Sequence, residues 1–380
     1  MSPLPNGCHW GIPGLIRHSP NEEAMLFEPT DDQEMLADTL TRFAADVLKP
    51  QATAWSQAGK APMEVFQALR DLGVFGLELP ESMGGAGFGR VEWVQAVEAL
   101  AAGDGGVALA LVGHCVASSL LAEAGEYGST VEKMAAGEEL ATVGWVDVRG
   151  NALEAREEND ALVLNGAKQA VAITEHATWF LLRARLGEQD GLALVKADAA
   201  GLTTGTPAKG LGLRSAGLAE AVLVDVKISK SAWLGTEALK RGTVHLDLGM
   251  AALAVGLGAA SLGEGARYGM ERKQFGQPIA MFQANQFNLA DMATENDGAR
   301  LLVMRAAHSC NLREVDMARV FAAESATKAA DHALQLHGGY GYTEEFPVER
   351  LYRDAQFSSA LYRTGDMLRS EIARELLGEV

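Results

Sequence analysis

Two stretches of the sequence carry the side chains best suited to hold a ligand, ERKQFGQPIAMFQ at 271–283 and QLHGGYGYT at 335–343. Their candidate ligand-binding residues are Arg272, Phe275, Gln283, Gln335, Gly338 and Gly339. A guanidinium binds phosphate, an aromatic ring stacks on a base, and paired glycines open backbone amides to a ligand. Together the stretches predict a site for a phosphate-bearing aromatic ligand, although the first alone is also typical of a helix end with a buried phenylalanine.

The first stretch interrupts a long helical pattern. Apolar residues recur at helical spacing and predict a helix that ends near Lys273, followed by a turn over Phe275-Gly276 and a new helix near Met281. Cations in the last turn of a helix interact favourably with its dipole, so Arg272 and Lys273 are predicted to lie there. Phe275 is predicted to point out of this connection.

The order and spacing of these stretches carry a resemblance. Together with FPVERLYRDAQ at 346–356 and IARELLG near the end of the chain, they resemble the acyl-CoA dehydrogenase family. The resemblance extends from about Leu26 to Leu377 and is weakest between Ala141 and Thr174. It implies an α+β fold with an N-terminal helical domain, a middle β domain and a C-terminal four-helix bundle, and it implies FAD as the cofactor.

The local patterns divide the chain into four parts. Residues 1–25 are predicted to form a flexible extension, 26–140 an N-terminal helical domain, 141–239 the middle β domain and 240–380 the C-terminal bundle. Strands are predicted at 161–165, 179–183, 191–195 and 221–225, and bundle helices at 241–273, 281–310, 314–337 and 347–377. The first helix is predicted to be capped by Asp31-Asp32 and to end at Pro50.

Composition argues against several classes of partner. The 380 residues carry a net charge of −18 with a pI near 4.9, which disfavours nucleic acid and anionic membranes. Cys8, Cys115 and Cys310 lack the spacing of a metal site or a disulfide framework, so no metal is predicted. Without a secretory leader or an apolar run of about 18 residues in the sequence, we expect a soluble cytoplasmic protein.

Two other motifs are predicted to be structural. The glycine-rich stretch SMGGAGFG at 82–89 follows no clear strand, so a loop between helices is favoured over a phosphate-binding loop. His114 and Cys115 lie within an apolar run, which favours a core position over a metal site.

The resemblance also implies a chemistry. In the family, a glutamate removes the α-proton of an acyl-CoA, the β-hydrogen leaves as a hydride to FAD, and an electron-transferring flavoprotein is the electron acceptor. Each FAD is shared across a dimer, one subunit holding the flavin ring and its neighbour's bundle the ADP half. The residues that match the ADP half are Arg272, Phe275, Gln283, Gln335, Gly338, Gly339 and Thr364.

The half that holds the flavin ring does not match the family. Residues 146–148 read Val-Asp-Val where the family has Thr-Glu-Pro, and residues 170–172 read Ala-Val-Ala where it has Trp-Ile-Thr. Tyr362 occupies the usual glutamate position, and a phenol is a poor base at neutral pH unless a cation such as Arg363 lowers its pKa. Asp247, where an arginine is usual, is a weak candidate base, and an ordinary helix residue or a pairing residue for the partner subunit is the favoured role for it.

This asymmetry leads to a hypothesis. The chain is predicted to be a subunit of a heteromeric acyl-CoA dehydrogenase, such as those for steroid side-chain CoA thioesters, that completes the FAD site of a glutamate-bearing partner subunit. Two alternatives remain open: a self-sufficient flavoenzyme with a relocated base, and a catalytically inactive scaffold protein that kept the fold.

Overall fold

The computed structural model describes residues 29–378. The extension predicted at 1–25 lies outside this range. The helices of the N-terminal part are α1 Asp31–Phe43, α2 Lys49–Ala58, α3 Met63–Asp71, α4 Arg90–Gly103, α5 Gly105–Ala124 and α6 Gly128–Ala135. They are followed by a sheet-rich part and then by five further helices, so the predicted succession of a helical, a β and a second helical domain is confirmed.

The first helix differs from its prediction at both ends. Its N-cap is Thr30, whose hydroxyl accepts a hydrogen bond from the Gln33 amide and whose own backbone amide donates to the Gln33 side-chain oxygen, a capping box. The helix does not end at Pro50, because a π-helical turn at Ala44–Leu48 continues directly into α2. A widened turn before the proline accommodates its ring and its missing N–H, which a regular helix would not.

The middle part is a nine-stranded sheet whose main order is β7-β8-β4-β3-β5-β6-β9. Its strands are β1 Ala141–Gly144, β2 Val146–Asp147, β3 Glu154–Glu158, β4 Ala161–Val171, β5 Trp179–Leu186, β6 Gln189–Lys196, β7 Leu202–Thr204, β8 Ala219–Ser229 and β9 Trp233–Leu234. Strand β1 pairs in parallel with β5, and β2 pairs antiparallel with β4. The four predicted strands lie within β4, β5, β6 and β8 and are confirmed.

The C-terminal part contains α7 Thr236–Glu271, α8 Gln283–Ser309, α9 Leu312–His337, α10 Val348–Ala360 and α11 Gly365–Leu377. The fourth predicted bundle helix, 347–377, is therefore two helices. The helical pattern breaks at Tyr362, whose φ of 66° lies in the left-handed region. The carbonyl of the preceding residue, Leu361, accepts a hydrogen bond from Arg319. Helices α7 and α9 run parallel, since Arg319 bonds Met250 near their middles and His337 stacks on Tyr268 near their ends.

The connection between α7 and α8 is a β-hairpin. Helix α7 ends at Glu271, and β10 Lys273–Gln274 pairs with β11 Gln277–Pro278. Phe275 and Gly276 have φ values of 51° and 84°, which suit a tight two-residue hairpin turn. The prediction that Arg272 and Lys273 lie in the last turn of the helix is therefore wrong, because the chain becomes extended at Arg272.

Two helices meet a length-and-composition test for crossing a membrane. In α5 and α7 the most apolar windows are 94% and 78% buried within the protein, as in the core helices of globular domains. His114 and Cys115 of α5 are buried, and His114 Nδ1 accepts a hydrogen bond from the Ala141 amide. Within residues 29–378, no group of His, Cys, Asp and Glu could hold a metal ion.

The glycine-rich stretch at 82–89 is a loop that leads into α4, as predicted. A Cβ on Gly85 would lie 2.0 Å from the carbonyl oxygen of Leu79, so this glycine is required by close backbone packing. The loop therefore has a structural role in joining the helices around it.

Candidate cofactor and catalytic sites

Six of the seven predicted cofactor residues come together at one end of the helical bundle. Helices α7 and α9 end there and α8 begins there, so one cradle is formed by Arg272, Phe275, Gln283, Gln335, Gly338 and Gly339. Beneath it, Tyr268 and His337 stack with ring centroids 3.9 Å apart, and Phe346 packs edge-on against both rings. This aromatic packing fixes the ends of α7 and α9 relative to each other.

All six residues of the cradle are exposed. Phe275 is 94% exposed, which rules out the alternative of a buried ring at a helix end. A Cβ on Gly338 or Gly339 would meet nothing within 4 Å, so the backbone there is open to a ligand. The Arg272 guanidinium makes no hydrogen bond or ion pair within the described part of the chain. These groups fit the phosphates and the base of an ADP moiety.

Thr364 does not join this cradle within one chain. It caps α11 by accepting a hydrogen bond from the Met367 amide, and it lies beside the middle of α9. From Ala323, which lines the same cavity as Thr364, to Gln335 is about 18 Å along the helix. One chain therefore presents two separate sets of candidate cofactor groups.

The cavity at Thr364 is lined by charges of both signs. Its volume is about 310 Å³, and its lining includes Arg319, Arg369, Glu324, Asp366 and the N-terminus of α11. Arg369 is paired with Glu324, and the Nε of the fully buried Arg319 lies 3.9 Å from Asp247 Oδ1. The charges around this cavity are therefore largely matched within the chain.

Asp247 lies in a closed ion cluster and is not a free base. Its side chain is only 1% exposed, and its Oδ2 accepts from Arg363 Nη1 at 2.5 Å. The same Arg363 nitrogen donates to Asp316 Oδ1 at 2.8 Å, and Arg319 Nε lies 3.9 Å from Asp247 Oδ1. Two carboxylates thus face two guanidiniums. Asp247 is thus neither an ordinary helix residue nor free to pair with a partner subunit, because its ion-pair partners belong to its own chain.

Burial governs the protonation of this cluster. Desolvation raises the pKa of Asp247, although Arg363 and Arg319 oppose that shift. Desolvation likewise raises the pKa of Asp316 to about 6, again against the effect of Arg363. An aspartate that must hold a buried arginine in place is a poor acceptor for a substrate proton, because protonation would break the ion pair.

Tyr362 is also unsuited to act as a base. Burial raises the pKa of its phenol, and Arg319 only partly offsets this shift. Arg363, which the sequence offered as a cation to lower that pKa, is instead engaged by Asp247 and Asp316. At neutral pH the phenol is therefore uncharged.

The segments expected to hold a flavin ring are filled with small or ion-paired side chains. Val171 and Ala172 are buried, and residues 170–172 offer no aromatic ring and no side-chain hydroxyl. Asp147 lies in β2, where its Oδ1 accepts from the buried Lys168 Nζ at 2.5 Å. Asp147 is thus the counter-ion of Lys168.

Sequence reasoning missed three members of these clusters: Lys168, Asp316 and Arg319. Asp316 and Arg319 are three residues apart on α9, and both are almost completely buried. Their neighbours Val315, Ala318 and Ala322 are also buried. Opposite charges at helical spacing on a face of small apolar residues were the available signal for a buried pair.

Known proteins match the chain over most of its length. The family described as acyl-CoA dehydrogenase, N-terminal domain, matches residues 30–138, and acyl-CoA dehydrogenase, C-terminal domain, matches residues 235–377. "Probable acyl-CoA dehydrogenase YngJ" of Bacillus subtilis is 36% identical, covering 93% of this chain and 100% of YngJ. Benzylmalonyl-CoA dehydrogenase of Aromatoleum aromaticum is 32% identical, with the same coverage of both chains.

Solved structures agree with these matches. Butyryl-CoA dehydrogenase from Megasphaera elsdenii superposes with a TM-score of 0.87 at 26% identity, covering 93% of this chain and 100% of that one. The glutaryl-CoA dehydrogenase complex with glutaryl-CoA gives the same TM-score at 27% identity, covering 93% and 97%. The chain belongs to the acyl-CoA dehydrogenase family, which confirms the predicted α+β fold and FAD as the cofactor.

Proposed function

We propose that this chain acts in the FAD-dependent α,β-dehydrogenation of an acyl-CoA thioester as one subunit of a heteromeric enzyme. Its role is to complete the FAD site of a partner subunit that carries the catalytic glutamate. The observation that carries the proposal is an asymmetry within the chain. The cradle at the end of α7 is exposed and its Arg272 is unpaired, whereas Asp247 is buried and paired with Arg363, and the phenol of Tyr362 is uncharged.

Each group of the cradle has a role in binding the ADP half of FAD. Arg272 pairs with phosphate oxygens, the open amides at Gly338 and Gly339 donate to them, and the exposed ring of Phe275 stacks on the adenine. FAD, when bound, supplies the acceptor for the hydride that leaves the β-carbon of the acyl group. The N-terminal end of α7 meets the sheet, where the Thr236 hydroxyl donates to the Asp190 carbonyl, whereas the cradle lies at the opposite end of this helix. The flavin that the cradle helps to hold is therefore assigned to the partner.

The partner must supply the base. Removal of an α-proton needs a group that is deprotonated at neutral pH and lies in reach of the substrate. In this chain Tyr362 is an uncharged phenol and Asp247 is tied to Arg363. We therefore assign proton removal to the partner's glutamate, and propose an electron-transferring flavoprotein as the acceptor of the electrons.

Turnover by the separate and combined subunits tests the proposal. The chain is purified alone and after co-expression with an acyl-CoA dehydrogenase-like protein encoded beside it. Both are assayed with butyryl-CoA and octanoyl-CoA, using electron-transferring flavoprotein as acceptor. We expect turnover only from the pair, and its loss when the partner's glutamate is replaced by glutamine. Turnover by this chain alone would mean that it contains a base of its own.

A further inference from the structure

A second polar cluster lies on the opposite side of α7 from Asp247. Arg90 Nη1 donates to Glu78 Oε1 at 2.6 Å and also contacts His245 Nε2, while that same imidazole nitrogen lies 3.0 Å from Glu78 Oε2. Successive residues of a helix are rotated by about 100°, so His245 and Asp247 project from faces about 200° apart. The cluster is therefore separate from the ion cluster at the catalytic positions.

This cluster borders a cavity of about 340 Å³ beneath the glycine-rich loop. One part of the lining is polar and includes Glu78, Arg90, Ser119 and Glu123, whose carboxylate is paired with Arg241 outside the lining. The rest is largely apolar and includes Leu79, Pro80, Met83, Phe88 and Ala122. Cavities of several hundred Å³ with an apolar lining and a few convergent polar groups are typical of small-molecule sites.

Several polar groups of this site have unused hydrogen-bonding capacity. Within residues 29–378, Arg90 donates to oxygen and nitrogen only through Nη1. Its guanidinium also lies 6.0 Å from the centroid of the Trp93 ring and contacts the thiol of Cys310, a weak acceptor. The Ser119 hydroxyl makes no hydrogen bond in the same range. The Arg90 guanidinium therefore retains N–H groups that no oxygen or nitrogen acceptor uses, and such groups can bind a carboxylate.

The charges of the site indicate what else must happen when an anion binds. Glu78 already neutralises Arg90, so a bound carboxylate would leave one excess negative charge. The charged groups that face His245 are Glu78, Arg90 and, further away, Glu123. Burial lowers the pKa of His245, which is therefore neutral at pH 7 in the free protein. Its Nδ1 is buried without a partner.

We propose that this cavity binds a small monocarboxylate with an apolar body, held by Arg90 and accompanied by the uptake of one proton on His245. The imidazolium offsets the ligand's charge and donates from Nε2 to Glu78, in place of the contact that Arg90 Nη1 makes with the neutral ring. The apolar body lies against Phe88 and Met83. This inference does not depend on the proposed role in FAD binding, because no cradle residue takes part in it.

Isothermal titration calorimetry with hexanoate tests the proposal. The whole chain is titrated at pH 6, 7 and 8 in two buffers of different ionisation enthalpy. We expect saturable binding, uptake of one proton at pH 7, and an affinity that falls by up to ~tenfold per pH unit as pH rises. Hexanamide, which has the same shape without the charge, should bind at least ~tenfold more weakly.

Matched variants locate the site. Arg90→Gln should weaken hexanoate binding by at least ~tenfold, whereas Arg70→Gln, at an exposed arginine of the same domain, should leave it unchanged. His245→Gln should remove the proton uptake while hexanoate still binds. If Arg90→Gln does not fold, Ala122→Phe, which fills the cavity without touching Arg90, should abolish binding instead.

Three results would overturn the proposal. They are the absence of saturable hexanoate binding to the wild-type chain, equal affinity for hexanamide, and binding that persists in both the Arg90→Gln and Ala122→Phe variants. Binding without proton uptake would refute the role of His245.

Discussion

The end of α7 and its middle handle charge in opposite ways. At the end, Arg272 is exposed and unpaired, and the neighbouring Phe275 is 94% exposed. In the middle, about 37 Å away along the helix, Asp247 is buried and tied to Arg363. The first arrangement is open to a ligand from outside the chain. The second is complete without one.

The physical reason for the difference is hydration. Water solvates an exposed guanidinium, so leaving Arg272 unpaired costs the fold little. A buried carboxylate has no such compensation, so Asp247 and Asp316 need Arg363 and Arg319 as partners. Unpaired surface groups can therefore be kept for a cofactor, whereas the buried charges stabilise the break between α10 and α11.

Removing Arg363 gives the largest expected effect. Arg363→Ala leaves Asp247 and Asp316 without their main partner, and we expect a loss of about 3–5 kcal/mol in unfolding free energy. Urea unfolding followed by circular dichroism measures it. Arg272→Ala is the matched control at the exposed end and should change stability by less than ~0.5 kcal/mol. Equal effects at the two arginines would remove the distinction between the two regions.

The buried cluster should also make stability depend on pH. Burial raises the pKa of Asp316 from 3.8 to about 6, so the folded chain holds its proton more tightly than the unfolded chain does. The stabilisation from this proton is present below about pH 4 and is lost as pH rises through about 6, amounting to at most ~3 kcal/mol.

Asp316→Asn isolates this contribution. The difference in unfolding free energy between wild type and Asp316→Asn should change between pH 4 and pH 7, because the wild-type chain becomes less stable relative to the variant as pH rises. Asp331→Asn, at an exposed aspartate of the same helix, is the control for removing a carboxylate from α9. A difference that is flat with pH for Asp316→Asn would show that this carboxyl has no raised pKa.

At the exposed end, the expected effect is on flavin affinity. Arg272→Ala in the assembled enzyme removes a charge-assisted hydrogen bond to phosphate, and FAD affinity should fall by about tenfold to a hundredfold. Fluorescence titration of the FAD-depleted assembly measures this affinity. Lys240→Ala, at an exposed lysine near the other end of α7, is the control and should leave FAD affinity unchanged. If the Arg272 variant keeps wild-type affinity, the cradle does not hold FAD.

The smallest effect is expected at Tyr362. Its hydroxyl makes no hydrogen bond within residues 29–378, and its phenol is uncharged at neutral pH. Tyr362→Phe should therefore change stability by less than ~0.5 kcal/mol and leave turnover of the assembly within about twofold. A fall of tenfold or more in kcat, with KM unchanged, would instead identify Tyr362 as a catalytic group.

The sequence predicted the cradle better than the cluster, for a physical reason. Arg272, Phe275 and Gly338-Gly339 belong to short local motifs, whose residue types and spacing are visible along the chain. The ion cluster joins Asp247, Asp316 and Arg363, which are far apart in sequence and meet only through tertiary packing. Local motifs therefore predict a site such as the cradle. For the ion cluster, they indicated individual residues but not that these residues contact one another.

The errors in secondary structure have a similar origin. Pro50 was a sound signal for a helix end, but the π-helical turn before it depends on packing that local pattern does not encode. The break at Tyr362 lies in an otherwise helical pattern and is held by Arg319, which binds the carbonyls of Ser358 and Leu361. Tertiary contacts overrode local propensity in both places.

The FAD content of the purified chain tests the central claim most directly. The visible spectrum and the ratio of FAD to protein are measured for the chain alone and for its complex with the glutamate-bearing partner. We predict a colourless chain alone and a yellow complex with about one FAD per two subunits, since one subunit supplies the ADP cradle and the other the flavin-ring site. One FAD per subunit in the chain alone would contradict this account and show that its own sheet holds the flavin ring.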